Sequence, residues 1–378
     1  MSLTNEEIRE FSLMALDQPS IAFKHKNIFA FTIYASSNSY TVRFGCQHGG
    51  KIYWGDGAES QPNTSFSTTS HTYRSGIGYY QIIIEDLQDI NFGNDDLYST
   101  YAIVSIDTIF PETFIGTSLR KAFFNCRNIT SIPRGLFDHC TEVTSFQECF
   151  SYCKITSIPA GLFDRCAKAT IFRNCFSDCT SLTSIPSGLF DHCTEVTNFS
   201  DCFSYCKLTS IPVGLFDNCT EVITFQDCFL GCPITSIPSG LFDNCTKVTN
   251  FRDCFAGCSI TSIPAGLFDN CPNITDFYYC FAGCSSLASI PSGLFDNCTE
   301  VINMSGCFYN CKKITSIPSE LFDNCTKVTD FYLCFCYCES IVSSVPELWI
   351  THSTARGTEC FKNCKKAANY SSIPSSWK

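Results

Sequence analysis

Residues 144–159 read TSFQECFSYCKITSIP, and close variants of this stretch recur along most of the chain. The recurrence is regular, because the tripeptide Leu-Phe-Asp returns every 26 or 27 residues. Eight copies of the unit run from about residue 129 to residue 338, and more degenerate units flank them, as expected of terminal repeats that cap a stacked core. The phenylalanines of the tripeptide are Phe137, Phe163, Phe190, Phe216, Phe242, Phe268, Phe295 and Phe322.

Each unit consists of two similar halves, and each half predicts a short strand followed by a helical turn. The strands are predicted at the T-S-I and T-x-F segments. In a representative unit Leu215, Phe216, Cys219 and Val222 share one face at helical spacing. Pro212 has no N–H to donate to a ladder and marks the end of the preceding strand. No coil can bury its Phe and Cys side chains alone, so the pattern predicts a solenoid of stacked coils.

These segments resemble the BspA-type leucine-rich repeat, whose units carry T-S-I, a small residue before Phe, a Cys and a second T-S-I. The resemblance covers roughly residues 105–378. This sequence departs from the family pattern in two ways. The small residue before Phe is a cysteine, as at Cys149 and Cys202, and the segment after Pro is lengthened to x-G-L-F-D-x-C. The resemblance implies a leucine-rich-repeat solenoid and a recognition role, often adhesion at a bacterial surface, and it implies no catalysis.

The first hundred residues follow a different pattern and predict a separate domain. Residues 4–18 predict a short helix with an apolar stripe, which either packs on its own domain or docks onto an anchoring partner. Residues 21–100 contain short alternating segments bounded by turn residues, which predict a small β-sandwich. The stretch YWGDG at 53–57, followed by HTY at 71–73, resembles a PKD-type immunoglobulin-like domain. That resemblance implies a spacer or a binding module.

Four segments follow from these patterns. The helix occupies residues 1–20, the β-sandwich 21–100, the regular solenoid with its eight repeats 101–340, and the capping repeats 341–378.

The 29 cysteines of the chain recur as C-x8-C-x3-C, as at Cys140, Cys149 and Cys153. A zinc site is disfavoured, because each coil supplies three cysteines and few units add a histidine. Regular disulfides are disfavoured, because two of the three cysteines lie only four residues apart. We therefore expect buried, reduced thiols that fill the core as small apolar residues. Cys46 and Cys336 lie outside the repeated positions and are expected to be the most exposed.

Charge and motif content argue against several functions. The net charge of -11 and the pI near 5.0 disfavour a nucleic-acid partner. No stretch is apolar enough to span a membrane, and the first twenty residues lack the basic and apolar regions of a secretory signal. None of the six histidines stands in a recognisable nucleophile motif. We therefore expect a non-enzymatic protein without cofactor or metal.

Ligand-binding residues of a repeat protein are expected at the variable positions, because the constant positions build the core. The pair that follows the T-x-F phenylalanine varies most and becomes aromatic in the later repeats. Tyrosine suits a binding surface because it combines a flat apolar ring with a polar tip. The alternative is a set of scattered surface tyrosines. The candidate ligand surface comprises Tyr278, Tyr279, Tyr309, Tyr332 and Tyr337, with Arg173 and Arg252.

The preferred functional hypothesis is a structural and recognition protein of a virion, such as a phage or phage-like tail or fibre. It would be made in the cytoplasm and presented at the particle surface. Its solenoid would bind a protein or a glycan, its N-terminal helix would contact an anchoring partner, and it could form homo-oligomers. The alternatives are a BspA-like adhesin at the bacterial cell surface and an intracellular protein-binding scaffold.

Overall fold

The computed structural model describes residues 27–46, 48–63, 69–74, 76–90 and 100–378. The chain divides into two compact units, Met1–Cys166 (unit 1) and Ala167–Lys378 (unit 2). The helix predicted within residues 4–18, together with its anchoring role, lies outside the described residues. The boundary between the two units falls within the repeat array.

The N-terminal part of unit 1 contains two antiparallel sheets. Its strands are β1 (Ile28–Ala35), β2 (Tyr40–Phe44), β3 (Ile52–Tyr53), β4 (Glu59–Ser60), β5 (Thr69–Tyr73), β6 (Gly78–Glu85) and β7 (Ile103–Ile106). One sheet has the order β4-β3-β6-β1-β7, and the other pairs β2 with β5. The longest pairing joins β1 to β6, with Ile28 opposite Glu85 and Ala35 opposite Gly78.

Aromatic side chains of the two sheets pack against each other. Phe31 on β1 meets Phe44 on β2 with ring centroids 5.5 Å apart, and Phe44 meets Trp54 at 5.7 Å. His71 stacks on Trp54 at 4.9 Å, and the Tyr73 hydroxyl donates to the Trp54 carbonyl at 2.8 Å. The YWGDG and HTY segments therefore meet in the core of this region, where aromatic contacts add to the burial of apolar area.

Unit 1 also contains the first coils of the repeat array. Phe110 stacks on Phe137 with centroids 5.8 Å apart, and Phe137 stacks on Phe163 at 5.7 Å. All three rings are buried. The degenerate unit before the first regular repeat thus contributes its phenylalanine to the same column.

In unit 2 successive coils are hydrogen-bonded through the half of the repeat that reads T-x-F-x-x-C-F-x-x-C. The Phe225 N–H donates to the Asn250 carbonyl of the next coil at 3.0 Å, and the Asp227 N–H donates to the Arg252 carbonyl at 2.8 Å. Between them the Cys228 N–H turns back to the Phe225 carbonyl at 3.1 Å. Hydrogen bonds along the stack thus alternate with hydrogen bonds inside the coil, which pairs the buried backbone donors of this half.

The predicted strands and helical turns of the repeat take a simpler form in unit 2. The T-x-F segments make single parallel bridges from coil to coil rather than longer strands. The L-F-D-x-C segment forms consecutive tight turns, in which the Asp217 N–H donates to the Gly214 carbonyl at 3.1 Å and the Cys219 N–H donates to the Phe216 carbonyl at 2.9 Å. Gly214 begins the first of these turns with a φ of 73°, a left-handed conformation that glycine adopts readily. Within the described residues the one α-helix is Leu348–Thr351.

Columns of stacked phenylalanines form the core of unit 2. Phe199 stacks on Phe225 of the next coil with centroids 5.7 Å apart and planes 3° apart. Phe216 stacks on Phe242 at 6.2 Å and 10°, and it meets Phe199 in a tilted contact at 4.9 Å. All four rings are buried. Each ring therefore contacts both its copy in the neighbouring coil and a ring of another column.

The described residues include all 29 cysteines, and every one is buried as a free thiol. The prediction of burial is confirmed for the repeated cysteines. The prediction that Cys46 and Cys336 are the most exposed is wrong, because the exposed fraction of both is 0%. Cys336 occupies the position after the second repeat phenylalanine, where Ser204 is also buried. Small side chains at that position are buried, whereas larger ones such as Tyr309 and Lys362 are partly exposed.

The last cysteine of the repeat donates its thiol hydrogen to a phenylalanine carbonyl of the preceding coil. Cys206 Sγ lies 3.1 Å from the Phe176 carbonyl oxygen, and Cys232 Sγ lies 3.0 Å from that of Phe203. The same contact recurs at Cys258, Cys284, Cys311, Cys338 and Cys364. Cysteine thus serves as a small apolar residue that also supplies a weak donor along the stack.

The last coil is closed by the C-terminal segment. The Phe361 N–H donates to the Trp377 carbonyl at 2.8 Å, and the Glu359 N–H donates to the Ser376 carbonyl at 3.2 Å. These carbonyls take the place of those that a following coil would offer. The Trp377 ring covers Gly357, which stands where earlier coils carry the T-x-F phenylalanine.

We expect the folded protein to react very slowly with thiol reagents. Burial raises the pKa of Cys232 and of Cys284 to about 12, and the thiolate is the reactive form. At about pH 8 a chromogenic disulfide reagent should modify on the order of one thiol or fewer in the native protein. In guanidinium chloride it should modify all 29. Rapid modification of a stoichiometric set in the native state would contradict the buried arrangement, and prior reduction controls for oxidation.

Candidate functional site

Two positions in the T-x-F half adopt a left-handed backbone conformation in coil after coil. Tyr279 represents one of them with a φ of 50°, and Tyr337 represents the other with a φ of 64°. Asparagine, aspartate and glycine tolerate this conformation best, and other coils place Asp227, Asp253 and Asn310 at these positions. The left-handed positions and the residues beside them carry the variable side chains of each coil.

The five candidate tyrosines come from three successive coils and lie together in unit 2. The rings of Tyr278 and Tyr279 are 4.5 Å apart, those of Tyr279 and Tyr309 5.6 Å, and those of Tyr309 and Tyr337 5.7 Å. All five rings are half-buried. We refer to the surface formed by Tyr278, Tyr279, Tyr309, Tyr332 and Tyr337 as the tyrosine surface.

Two arginines lie over rings of the tyrosine surface. The Arg252 guanidinium is 4.2 Å from the ring centroid of Tyr278, and the Arg356 guanidinium is 3.9 Å from that of Tyr332. Such cation–π contacts contribute about 0.5–1 kcal/mol at exposed sites, so they help to fix both rings. The sequence pattern singled out Arg252 but not Arg356. Arg356 lies in the T-x-F segment of a degenerate terminal unit, and this position is the signal that could have identified it as a neighbour of the tyrosines.

The cationic side chains beside the tyrosines are each paired with a carboxylate. The pairs are Arg252 with Asp253 at 3.4 Å, Arg356 with Asp330 at 3.4 Å and Lys362 with Glu359 at 2.9 Å. The surface therefore combines aromatic rings with charges that are largely balanced.

Tyr279 is held by the coil that follows it. Its ring lies against Gly306, where a β-carbon would overlap the ring. Burial raises the pKa of Tyr279 to about 12, and the neighbouring Tyr278 and Tyr309 add to the increase. The Tyr279 phenol therefore stays protonated at neutral pH, where it can both donate and accept a hydrogen bond.

Arg173 does not join the tyrosine surface. It follows Phe172, whose ring column reaches Phe277 only after four coil-to-coil steps. Its charge acts instead on Asp201 in the adjacent coil. Arg173 and Tyr278 occupy the same position within their coils, so the repeat pattern alone could not separate them.

Three carboxylates that the sequence pattern did not single out form a second feature of unit 2. Asp201, Asp227 and Asp253 occupy the same left-handed position in three successive coils. Burial, and after it the charge of Asp227, raises the pKa of Asp201 and of Asp253 to about 6. The Gln226 side-chain amide donates to Asp227 Oδ2 at 2.9 Å. The signal in the sequence is the aspartate that precedes the middle cysteine of three consecutive repeats.

In the part of the chain that the structure describes, no three histidine, cysteine, aspartate or glutamate side chains are grouped so that they could hold a metal ion. No helix among the described residues is long and apolar enough to cross a membrane. The chemistry offered by the tyrosine surface is that of aromatic faces, phenol hydroxyls and paired charges.

We expect Asp227→Asn to stabilise the protein at neutral pH by about 0.5 kcal/mol, because it removes a like charge between two carboxylates. Asparagine suits the left-handed backbone here, as Asn174 does in an earlier coil. The folded-state pKa of Asp201 and Asp253, about 6, lies above the ordinary value of 3.8. Their contribution to stability is therefore fully present below about pH 4 and is lost as the pH rises to about 6.

Denaturant unfolding at about pH 4 and pH 7 measures this effect. The loss of stability between the two pH values should be smaller in Asp227→Asn than in the wild type. Asp217→Asn removes an exposed carboxylate from the other half of the coil and serves as the control. An equal pH dependence in the two variants would contradict the coupling among the three carboxylates.

Solved leucine-rich-repeat structures resemble the chain at low sequence identity. A chain of the Toll–Spatzle complex of Drosophila is 19% identical, with 66% of this chain and 37% of that chain covered and a TM-score of 0.37. A chain of the octameric complex of Latrophilin 3, Unc5D and FLRT2 is 15% identical, with 60% and 77% covered and a TM-score of 0.38. The leucine-rich repeat domain of APL1B is 12% identical, with 57% and 61% covered and a TM-score of 0.34.

The chain spans less than two thirds of the length of the Toll and APL1B chains that it matches. No curated protein sequence matches it. The family assignment rests instead on a sequence model of the family, described as BspA type Leucine rich repeat region (6 copies).

That family model matches residues 81–173, 107–232, 146–302 and 185–378. The overlapping matches together extend from residue 81 to the last residue and cover well over half of the chain. The resemblance seen in the T-S-I and C-F segments is therefore confirmed, and leucine-rich-repeat proteins are typically non-enzymatic recognition proteins. The chain belongs to the BspA-type leucine-rich-repeat family.

Proposed function

We propose that the chain is a non-enzymatic recognition protein that binds its ligand on the tyrosine surface. The observation that carries the proposal is the convergence of five tyrosines from three coils, with Tyr278 and Tyr332 under guanidinium groups and Tyr279 against Gly306. Rings that are already ordered lose little conformational entropy when a ligand binds. Tyrosine and arginine are also the residue types that dominate binding hot spots.

The proposed partner is a protein or a glycan. The net charge of -11 disfavours the phosphate backbone of a nucleic acid, and the cations of the tyrosine surface already have carboxylate partners. The proposal involves no cofactor.

For the N-terminal part of unit 1 we propose a PKD-like, immunoglobulin-like β-sandwich that acts as a spacer. The contact of Phe31 with Phe44 between the sheets supports this proposal, as does the cluster of Trp54, His71 and Tyr73. Residues 1–20 would then supply the anchoring element, and anchored copies could associate as homo-oligomers.

We further propose that the protein is carried on the surface of a particle, such as a phage or phage-like tail or fibre. Buried free thiols suit a chain that folds in a reducing cytoplasm before it is assembled. A BspA-like adhesin on the bacterial cell surface is the alternative, and an intracellular protein-binding scaffold is a further one.

Site-specific photo-crosslinking tests the proposed binding surface. A benzophenone side chain at Tyr337 should cross-link a ligand in the native source, whereas the same group at Tyr205 should not. The two sites are matched, because they occupy the same coil position with φ values of 64° and 57°, and Tyr205 is 51% exposed. Equal cross-linking at both sites, or none at Tyr337, would contradict the proposal.

Mass spectrometry of the native source material tests the proposed location. We expect capsid or tail proteins to co-purify with this chain at a fixed ratio. Recovery in an outer-membrane fraction, with a processed or lipidated N-terminus, would refute the proposed location on a particle. It would support the alternative of a cell-surface adhesin. Recovery in the soluble cytoplasm with a different protein would instead support the scaffold.

A further inference from the structure

We propose that the tyrosine surface takes a neutral oligosaccharide of a few sugar units, an inference that rests on the recognition function proposed above. Of the two proposed ligand classes, a protein and a glycan, the surface features favour the glycan. Three features of the surface favour the glycan, namely its charge balance, the small area that it exposes and the chemistry of its groups.

Charge balance is the first feature. Arg252, Arg356 and Lys362 each lie within 3.4 Å of a carboxylate oxygen. A charged ligand would have to lose its hydration and compete with these existing pairs. The three paired cations would not fully compensate for that cost in free energy. A neutral ligand has no such cost, because it can bind while the three pairs stay intact.

The exposed area is the second feature. A standard protein interface buries about 800 Å² on each partner. The five tyrosine rings are all half-buried, so the apolar area that they expose together is smaller than that figure. The aromatic patch is also bordered by ion pairs. An area of this size matches a few sugar rings better than the core of a protein interface.

The chemistry of the exposed groups is the third feature. A pyranose ring has an apolar C–H face, which packs on an aromatic ring, and a rim of hydroxyls that both donate and accept hydrogen bonds. The surface offers tyrosine rings of varied tilt, such as the 45° between Tyr278 and Tyr279, and phenols that can donate and accept. The side-chain amide of Asn310, adjacent to Tyr309 in the chain, is partly exposed and adds a planar polar group.

The arrangement of the rings indicates an elongated ligand. The contacts run diagonally from Tyr278 and Tyr279 in one coil to Tyr309 in the next and Tyr337 in the one after. Each step is 4.5–5.7 Å between ring centroids, which is comparable to the size of one sugar ring. A linear chain of about three or four sugars could follow this diagonal, with one sugar near each step.

Binding of purified full-length protein to an oligosaccharide panel tests the inference. The probes are neutral oligomers of two to six units of glucose, mannose, galactose and N-acetylglucosamine, with sulfated, sialylated and uronic-acid oligomers as charged comparators. We expect at least one neutral series to bind, with an affinity that rises with length up to about four units. We also expect the affinity to change little between low and high salt, because the ligand has no charge to screen.

Matched asparagine variants locate the binding. Tyr279→Asn and Tyr337→Asn should each weaken binding about tenfold or more, as expected for losing an aromatic stacking contact. Tyr205→Asn should leave it within about twofold. Asparagine occupies the same left-handed positions at Asn174, Asn310 and Asn363, so these variants are expected to fold, and thermal unfolding checks that they do.

The outcomes separate this inference from the function on which it rests. If no neutral oligosaccharide binds, or if only charged ones bind with a strong salt dependence, the glycan inference is overturned. If, in addition, the cross-link at Tyr337 identifies a protein, the tyrosine surface remains a recognition surface with a protein partner. If neither a glycan nor a cross-linked ligand is found at Tyr337, the inference and the proposed function both fail.

Discussion

The stacking of repeat phenylalanines on their copies in successive coils is the contact on which the rest of the repeat structure depends. In unit 2 the ring centroids of Phe199 and Phe225 are 5.7 Å apart with nearly parallel planes, so equivalent residues must stay in line. The repeats nevertheless differ by one residue in length. The longer coils place the extra residue in the turn after the last cysteine, where the Leu182 N–H donates to the Cys179 carbonyl at 2.9 Å. The turn absorbs the difference, and the columns keep their register.

The same stacking explains why cysteine is so frequent. Close-packed rings leave room only for small side chains beside them, and a buried hydroxyl without a full set of partners would be costly. A thiol is apolar enough to be buried and still donates a weak hydrogen bond, as Cys232 does to the Phe203 carbonyl. Because the phenylalanine columns pass through successive coils, the need for a small apolar residue beside them recurs in each coil. Cysteine meets this need and therefore recurs along the chain. The high cysteine content is thus a consequence of the alignment of equivalent residues in successive coils.

The sequence predicted the repeat and its buried positions well, because both follow from periodicity. It did not predict the tight turns, since the spacing of Leu215, Phe216 and Cys219 fits a short helix as well as a turn that closes a coil. The buried Cys336 was missed because the sequence pattern did not show that this position of the repeat buries small side chains, as it also does at Ser204. It was harder still to predict which surface side chains lie together, because this depends on neighbours 26 or 27 residues away in the chain. The tyrosines were found together, whereas Arg173 lies elsewhere and Arg356 had not been named.

The left-handed tyrosines show how a binding surface can arise on a repeat without a change in its backbone. A bulky residue in this conformation costs on the order of 1 kcal/mol, yet Tyr205 and Tyr337 both adopt it at the same coil position. Tyr205 lies against Gly231 of the next coil, whereas Tyr337 meets Tyr309 of the coil before it. The conformational cost is therefore common to both sites, and only the neighbouring coils differ. The distinctive property of the tyrosine surface therefore lies in the combination of variable residues that successive coils bring together. Other combinations of residues at the same positions would give surfaces of different chemistry on the same backbone.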